Sequence, residues 1–296
     1  MSAMLPGMRR KPRVAIVGAG NLATAIAVWL RRSGYEIEAV IARSRAPSVS
    51  MKRARHLAHE GGTRVWTGPP ATLHADVIWF CVADAEIARA ANVLAEKIEW
   101  QGRVALHSSG VLSSDELAPL RDRGAAVASV HPLMTFVRGS RPRLAGVPFA
   151  LEGDAAAVRL ARRMVKDLGG KAHAIRKEDK AAYHAWGTFA SPLFTALLAT
   201  TEDVAAAAGV SSKDARRRMI PILRQTLENY AAFGAPDGFS GPIVRGDIET
   251  VRRHLDVLRK LPEARAVYLA LARAALKNLP AKNKNALRKL LDSRPG

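Results

Sequence analysis

Two histidines, a lysine and a glycine turn are the residues spaced for chemistry in this 296-residue chain. Lys180 and His184 stand four apart in a helical pattern, so they share one helix face, with Tyr183 beside them. A lysine there can give a proton to a carbonyl oxygen, or assist its loss, while a histidine at that spacing orients the same substrate. Two polar residues at a solvated helix start would look the same. His131 ends an apolar run and precedes Pro132. An imidazole delivered by the end of a parallel strand can serve as acid or base near neutrality, or can fix its own loop through a backbone hydrogen bond. His107 is read as structural. Ser108 and Ser109 offer hydroxyls to a nicotinamide or a substrate carboxylate, or to their own turn.

Gly18-Ala19-Gly20-Asn21-Leu22-Ala23 follows the apolar run Val14–Val17. This is the G-x-G-x-x-G/A pattern of a dinucleotide site. Gly18 makes the turn, Gly20 lets a pyrophosphate approach the backbone, and the small Ala23 lets the helix pack on the strand. The free N–H groups of Asn21, Leu22 and Ala23 then face the phosphates. An ordinary tight turn is the bland alternative. The second strand, Glu36 to Ala42, is followed by Arg43-Ser44-Arg45 with no carboxylate for a ribose hydroxyl. Two guanidiniums and a hydroxyl suit a 2′-phosphate, so NADP is favoured over NAD. Val82 and Ala83, at the end of the run Asp76–Val82, belong beside the cofactor by the rule for strand ends. Asp84 is expected to cap the helix that follows, and Cys81 to be a buried small residue.

The elements that must hold these groups alternate. Strand patterns at 36–42, 64–66, 76–82, 103–107 and 125–130 are separated by helical ones at 21–32, 48–60 and 84–97. This predicts an α/β fold with an N-terminal doubly wound parallel Rossmann sheet. Ser113, Ser114 and Asp115 are candidate helix caps. Residues 137–148, rich in Arg, Gly and Pro, read as a linker. A last strand at 147–151, a helix at 154–168 and an extended piece at 172–175 follow. Beyond them the pattern is all-α: a long helix over 178–208 kinked at Pro192, another from Ser211 or Ser212 to Phe233, a loop over 234–246, and helices from Asp247 and over 263–277. The Lys- and Asn-rich end is expected to fray. The domains are drawn as 12–150, the NAD(P)-binding domain, and 151–296, a helical dimerisation and substrate domain.

Composition bounds the rest. A lone cysteine, Cys81, excludes a disulfide framework and points to a reducing, cytoplasmic setting. No apolar run is long enough to span a membrane, and residues 1–13 are basic without the apolar core of a signal peptide. The net charge of +20 would suit nucleic acid, but aromatics are 5% and the basic residues are spread along helices. A small anionic substrate and a homodimer through the helical domain are the partners expected; nucleic acid is set aside, and no metal is expected. The Arg245-Gly246-Asp247 triplet reads as a helix start rather than an adhesion motif.

The glycine turn, His107-Ser108-Ser109-Gly110, the run Ser129 to Phe136, Tyr183-His184-Ala185, Gly241 to Asp247 and Thr250 to Leu255 occur in that order. Over residues 12–262 this resembles the bacterial family that joins a Rossmann-like domain to a C-terminal domain of unknown function, DUF2520. More distantly it resembles the pyrroline-carboxylate reductases, β-hydroxyacid dehydrogenases and deazaflavin-dependent NADP reductases. The resemblance implies an NADP-type Rossmann domain and an all-helical, dimerising second domain. Lys180 matches the lysine of the hydroxyacid enzymes, while His184 stands where they carry asparagine. His131-Pro132 resembles a substrate-facing histidine of prephenate dehydrogenases. Ser191-Pro192 departs from the Ser-Asn usual in the close family. The function expected is an NADP-dependent oxidoreductase, passing a hydride to or from a small carbonyl, imine or hydroxy compound in an interdomain cleft. The alternative is a non-catalytic NADP-binding regulatory or redox-sensing protein.

Overall fold

The computed structural model describes residues 10–42, 49–67, 72–140 and 142–293. Two compact units divide at 188/189. The first is built on one sheet. β1 (Val14–Val17) leads through the glycine turn to α1 (Asn21–Arg32), then β2 (Ile37–Ala42), α2 (Val49–Gly61) and β3 (Arg64–Thr67). β4 (Val77–Phe80), α3 (Asp84–Ala95), β5 (Val104–His107), the short α4 (Ala118–Arg121) and β6 (Ala126–Pro132) follow. β7 (Pro148–Gly153), α5 (Ala155–Asp167), β8 (Lys171–Ala174) and α6 (Lys180–Thr188) complete the unit.

The strand order is β3-β2-β1-β4-β5-β6-β7-β8. Its first six strands are all parallel and wind outward from β1 in both directions, the doubly wound arrangement. Both faces are buried. Val14 and Ile16 of β1 pack into one apolar core with residues of α1, α2 and α5, and the alternate residues Ala15 and Val17 into another with α3 and α4. That is why these strands read as continuous apolar runs. β7 turns back antiparallel to β6, pairing Glu152 with Ser129, and β8 runs parallel to β7. The sheet therefore continues past residue 150. The expected domain boundary at 150/151 falls inside β7, and the compact units part 38 residues later, at 188/189.

The second unit is helical. A π-helical turn, Phe189–Leu193, contains Pro192 and precedes α7 (Phe194–Ala207). Proline lacks the N–H and crowds the carbonyl four residues back, and the wider turn absorbs that mismatch. α8 (Ser212–Gly238) is broken at Gly234, whose φ of 75° and ψ of 179° leave the helix. The expected loop over 234–246 thus holds helical residues on both sides of Phe239, including the single turn α9 (Pro242–Arg245). α10 (Ile248–Val257) is capped by Asp247, which accepts from the Thr250 N–H, as its sequence predicts. α11 (Pro262–Asn278) and α12 (Lys284–Asp292) follow. α12 corrects the expected fraying. Leu287 and Leu291, four apart, are buried in a core with Val251, Leu255 and Leu276, a stripe hidden by the surrounding Lys and Asn. Among the described residues no single helix is long and apolar enough to cross a membrane.

Candidate functional site

Because β1, β4, β5 and β6 are parallel, their carboxyl ends share one edge of the sheet. The glycine turn, Cys81 to Ala83, Ser108 to Gly110 and His131 are all delivered there.

Gly18 and Gly20 serve different ends. Gly18 has a φ of +104°, and a Cβ there would sit 2.7 Å from the Cys81 carbonyl oxygen, so the fold itself requires glycine. Gly20 has an ordinary backbone (φ −77°, ψ −177°), and a Cβ on it would meet nothing among the described residues closer than 4.0 Å. The fold itself therefore has room for a Cβ at Gly20. Gly20 is also the N-cap of α1, with no side-chain cap and no acidic residue in the first turn. The N–H groups of Asn21, Leu22 and Ala23 open the helix on that side. The Asn21 side chain is spent on the loop after β6, donating to the Phe136 carbonyl at 3.1 Å. These features suit a dinucleotide pyrophosphate. Ala23 is fully buried against the sheet, as its small size predicts. Val82 is half-buried and Ala83 exposed. Asp84 is the first residue of α3 and makes no side-chain cap; the capping position is Ala83. Its charge still favours the helix start. Arg43, Ser44 and Arg45 lie outside the described residues.

Burial pushes the Cys81 thiol up to about 12, which leaves it unreactive. His107 is also structural. Its Nε2–H donates to the Ser113 carbonyl at 2.9 Å, and its Nδ1 accepts from the Ser109 N–H at 3.1 Å. Burial, assisted by the charges of Lys180 and His131, lowers its pKa to about 4 against the pull of the Ser113 carbonyl. Ser113, as expected, caps the turn that follows, Ser114–Leu117.

His131 differs. Its Nδ1–H donates to the Ser108 carbonyl at 3.1 Å, which leaves Nε2 as the acceptor of the neutral ring. Burial holds its pKa below the usual histidine range, Lys180 and His184 add to the effect, and the Ser108 carbonyl and Asp84 oppose it. The His131 and His184 rings lie 5.9 Å apart, edge to face, and Tyr183 stands 6.2 Å from His131. Gly110 lies between the two histidines. A Cβ on it would be 2.4 Å from His184 Cδ2 and 2.9 Å from His131 Cε1. Burial raises the Tyr183 hydroxyl pKa.

Lys180 is not on an open helix face. Only 1% of it is exposed. Its Nζ donates to the Ser109 carbonyl at 3.1 Å and to Ser129 Oγ at 2.8 Å, and Ser129 Oγ donates in turn to the Ser109 carbonyl at 3.3 Å. Burial lowers the lysine's pKa, and the carboxylates of Glu152 and Asp84 oppose that. Glu152, itself buried, accepts from the Ser114 N–H at 2.7 Å and the Ser114 hydroxyl at 2.8 Å. Ser108 Oγ accepts from the Trp79 indole at 2.8 Å.

Lys180, His131, His184 and Ser108 are therefore brought together. Sequence reasoning missed Ser129, Glu152 and the crowded Gly110. Ser129 had a signal: it lies two residues from His131, hence on the same face of the strand. Glu152 had none before its pairing with Ser129 was known.

Strand order and glycine turn together define a Rossmann-type protein with a helical second unit. Residues 6–132 match the Rossmann-like domain family, and residues 147–275 match DUF2520, a domain of unknown function. The chain thus carries a match to each of the two domain families, one after the other. No curated protein matches it. A Bacteroides fragilis protein provisionally assigned as an NADP oxidoreductase superposes with a TM-score of 0.75 at 19% identity, over 89% of this chain and 97% of that one. Protein TM1727 from Thermotoga maritima gives 0.66 at 22% identity, over 94% and 98%. A reductive aminase from Aspergillus terreus, in complex with NADPH and ethyl-5-oxohexanoate, gives 0.62 at 15% identity, over 95% and 99%. At these identities the likeness is one of fold.

Proposed function

We propose that the protein is an NADP-dependent oxidoreductase that passes a hydride to or from a small carbonyl, imine or hydroxy compound. The observation that carries this reading is the pairing, on one sheet edge, of a glycine turn open to a pyrophosphate with a buried proton-handling cluster. The cofactor supplies the hydride chemistry when bound. Gly18, Gly20, Asn21, Leu22 and Ala23 hold its pyrophosphate, and Val82, Ala83 and Ser108 line the way to its nicotinamide. Arg43, Ser44 and Arg45 take the 2′-phosphate. His131, His184 and Lys180 form the cluster at which the proton is handled. Neutral His131, with Nε2 unprotonated, accepts a proton from a hydroxy compound as it is oxidised. In the reductive direction the same nitrogen delivers one. The net charge of +20 suits an anionic substrate. Neighbours of the same fold described with NADPH or as oxidoreductases support the reading.

Exposed apolar residues on α8, among them Ile222, Leu227, Tyr230 and Phe233, support a homodimer through the helical unit. The single buried cysteine fits a cytoplasmic setting.

Gly20→Val tests the cofactor site. The variant should fold as the parent does and lose NADPH affinity by about 100-fold or more, equivalent to ~2.7 kcal/mol. Unchanged binding would sink the proposal. Replacing Arg43 and Arg45 together by alanine should weaken NADPH by about tenfold relative to NADH. NADPH consumption against cyclic imines, ketones and hydroxy acids then reads the reaction. Binding without turnover across that panel would favour the regulatory alternative.

A further inference from the structure

Lys180 has the residue type of a proton donor, yet its surroundings describe another task. Its ammonium is almost wholly enclosed and gives two protons to the protein, at Ser109 O and Ser129 Oγ. We propose that Lys180 is a positioning residue that acts through His131, and that the substrate's proton passes by His131 Nε2. The proposal rests on the oxidoreductase reading above for the word substrate, though not for the link between the two side chains.

The link is short and continuous along the chain. His131 Nδ1–H is held by the carbonyl of Ser108. The next carbonyl, that of Ser109, is held by Lys180 and Ser129 together. The residue after it, Gly110, lies against the ring edges of His131 and His184, so closely that no Cβ would fit. Any shift of the Ser109 carbonyl therefore moves both the acceptor that aims the His131 ring and the backbone on which that ring rests. Lys180 starts α6, Ser109 follows β5 and Ser129 lies within β6, so one ammonium ties three elements at this point. Its positive charge also disfavours imidazolium at His131, in the same sense as burial and His184 and against Asp84. Among the described residues, Tyr183, at 6.2 Å, and His107 on the neighbouring strand, whose ring nitrogens are both engaged, also stand near the ring. Glu152, whose carboxylate is bonded to Ser114, favours the charged form of Lys180.

The test is a histidine titration followed by NMR on the ligand-free protein, with Lys180→Met and Lys180→Gln beside the parent. Lys180→Met removes both charge and donors; Lys180→Gln keeps an amide donor for the Ser109 carbonyl and removes the charge. The His131 midpoint should rise by about half a unit or more in both, because the ring loses a neighbouring cation. The His131 resonances should move further in Lys180→Met than in Lys180→Gln. In turnover, the histidine limb of the pH profile should shift upward in Lys180→Gln, and vanish in His131→Asn. If Lys180→Met fails to fold, Lys180→Gln carries the titration alone. A His131 midpoint that stays put in a folded Lys180 variant overturns the proposal, as does a limb that survives in His131→Asn. Absence of turnover in the parent would count against the oxidoreductase reading only, since the titration needs no substrate.

Discussion

Two neighbouring strands carry a histidine at or next to their ends, and the two rings are held differently. His107 closes β5 and His131 lies one residue short of the end of β6; both stand among small polar residues. His107 has a partner on each ring nitrogen and is completely buried. His131 has a partner on Nδ1 and is half-buried. The first ring is a strut that fixes the loop carrying Ser108 and Ser109. The second is held by that loop's Ser108 carbonyl through Nδ1, and its Nε2 has no partner among the described residues. Residue type at a strand end is thus a poor guide to role; the number of engaged ring nitrogens decides.

Exchange of each ring for asparagine should separate them most widely. His131→Asn should lower kcat by about 10²–10⁴-fold, the usual worth of a general acid or base, with little loss of stability. His107→Asn should cost about 1–3 kcal/mol of unfolding free energy, measured in urea, and leave kcat of the folded enzyme within about tenfold. The reverse pattern would break the comparison.

Acid should distinguish them next. His107 has its pKa lowered from 6.5 in the unfolded chain to about 4 in the fold. The unfolded chain therefore binds more protons between those values. The stability that neutral His107 contributes is full above pH 6.5 and disappears as pH falls toward about 4. The effect is on the order of 3 kcal/mol at its limit. Urea unfolding at a series of pH values should show that slope, and His107→Asn should flatten it.

Gly110→Ala sharpens the comparison from the backbone side. The nearest neighbours of the added carbon are the His131 and His184 rings, with which it collides. Turnover should fall by about 10- to 100-fold through misplacement of those rings. NADPH affinity, proposed to depend on the glycine turn, should stay within about threefold, a change worth well under 1 kcal/mol. Full turnover in Gly110→Ala would dissociate the histidine pair from the chemistry.

Much of this was visible in the amino-acid order. The doubly wound sheet, the glycine turn and the histidines at strand ends follow from local signals: apolar runs, φ-permissive glycines and i, i+4 spacing. The environment of Lys180 does not. Its partners are 71 and 51 residues away, and Ser114 and Glu152 are 38 apart, so only the packed sheet reveals them. A lysine four residues before a histidine looks the same in sequence whether its ammonium is in water or enclosed. α12 was hidden for a different reason, since two buried leucines outweigh the polar residues that dominate its composition. The strand expected at 147–151 and the extended piece at 172–175 are β7 and β8, but the antiparallel pairing of β7 with β6 is something no strand pattern announces.

Trp79 is fully buried in β4, with its indole N–H on Ser108 Oγ. That makes it a built-in optical reporter. The chain has five tryptophans. With phenylalanine at Trp29, Trp66, Trp100 and Trp186, the emission of one indole would record the hydration and polarity of the edge where nicotinamide and histidine are proposed to meet. Quenching by a bound dihydronicotinamide, which absorbs where indole emits, would then follow cofactor arrival in real time.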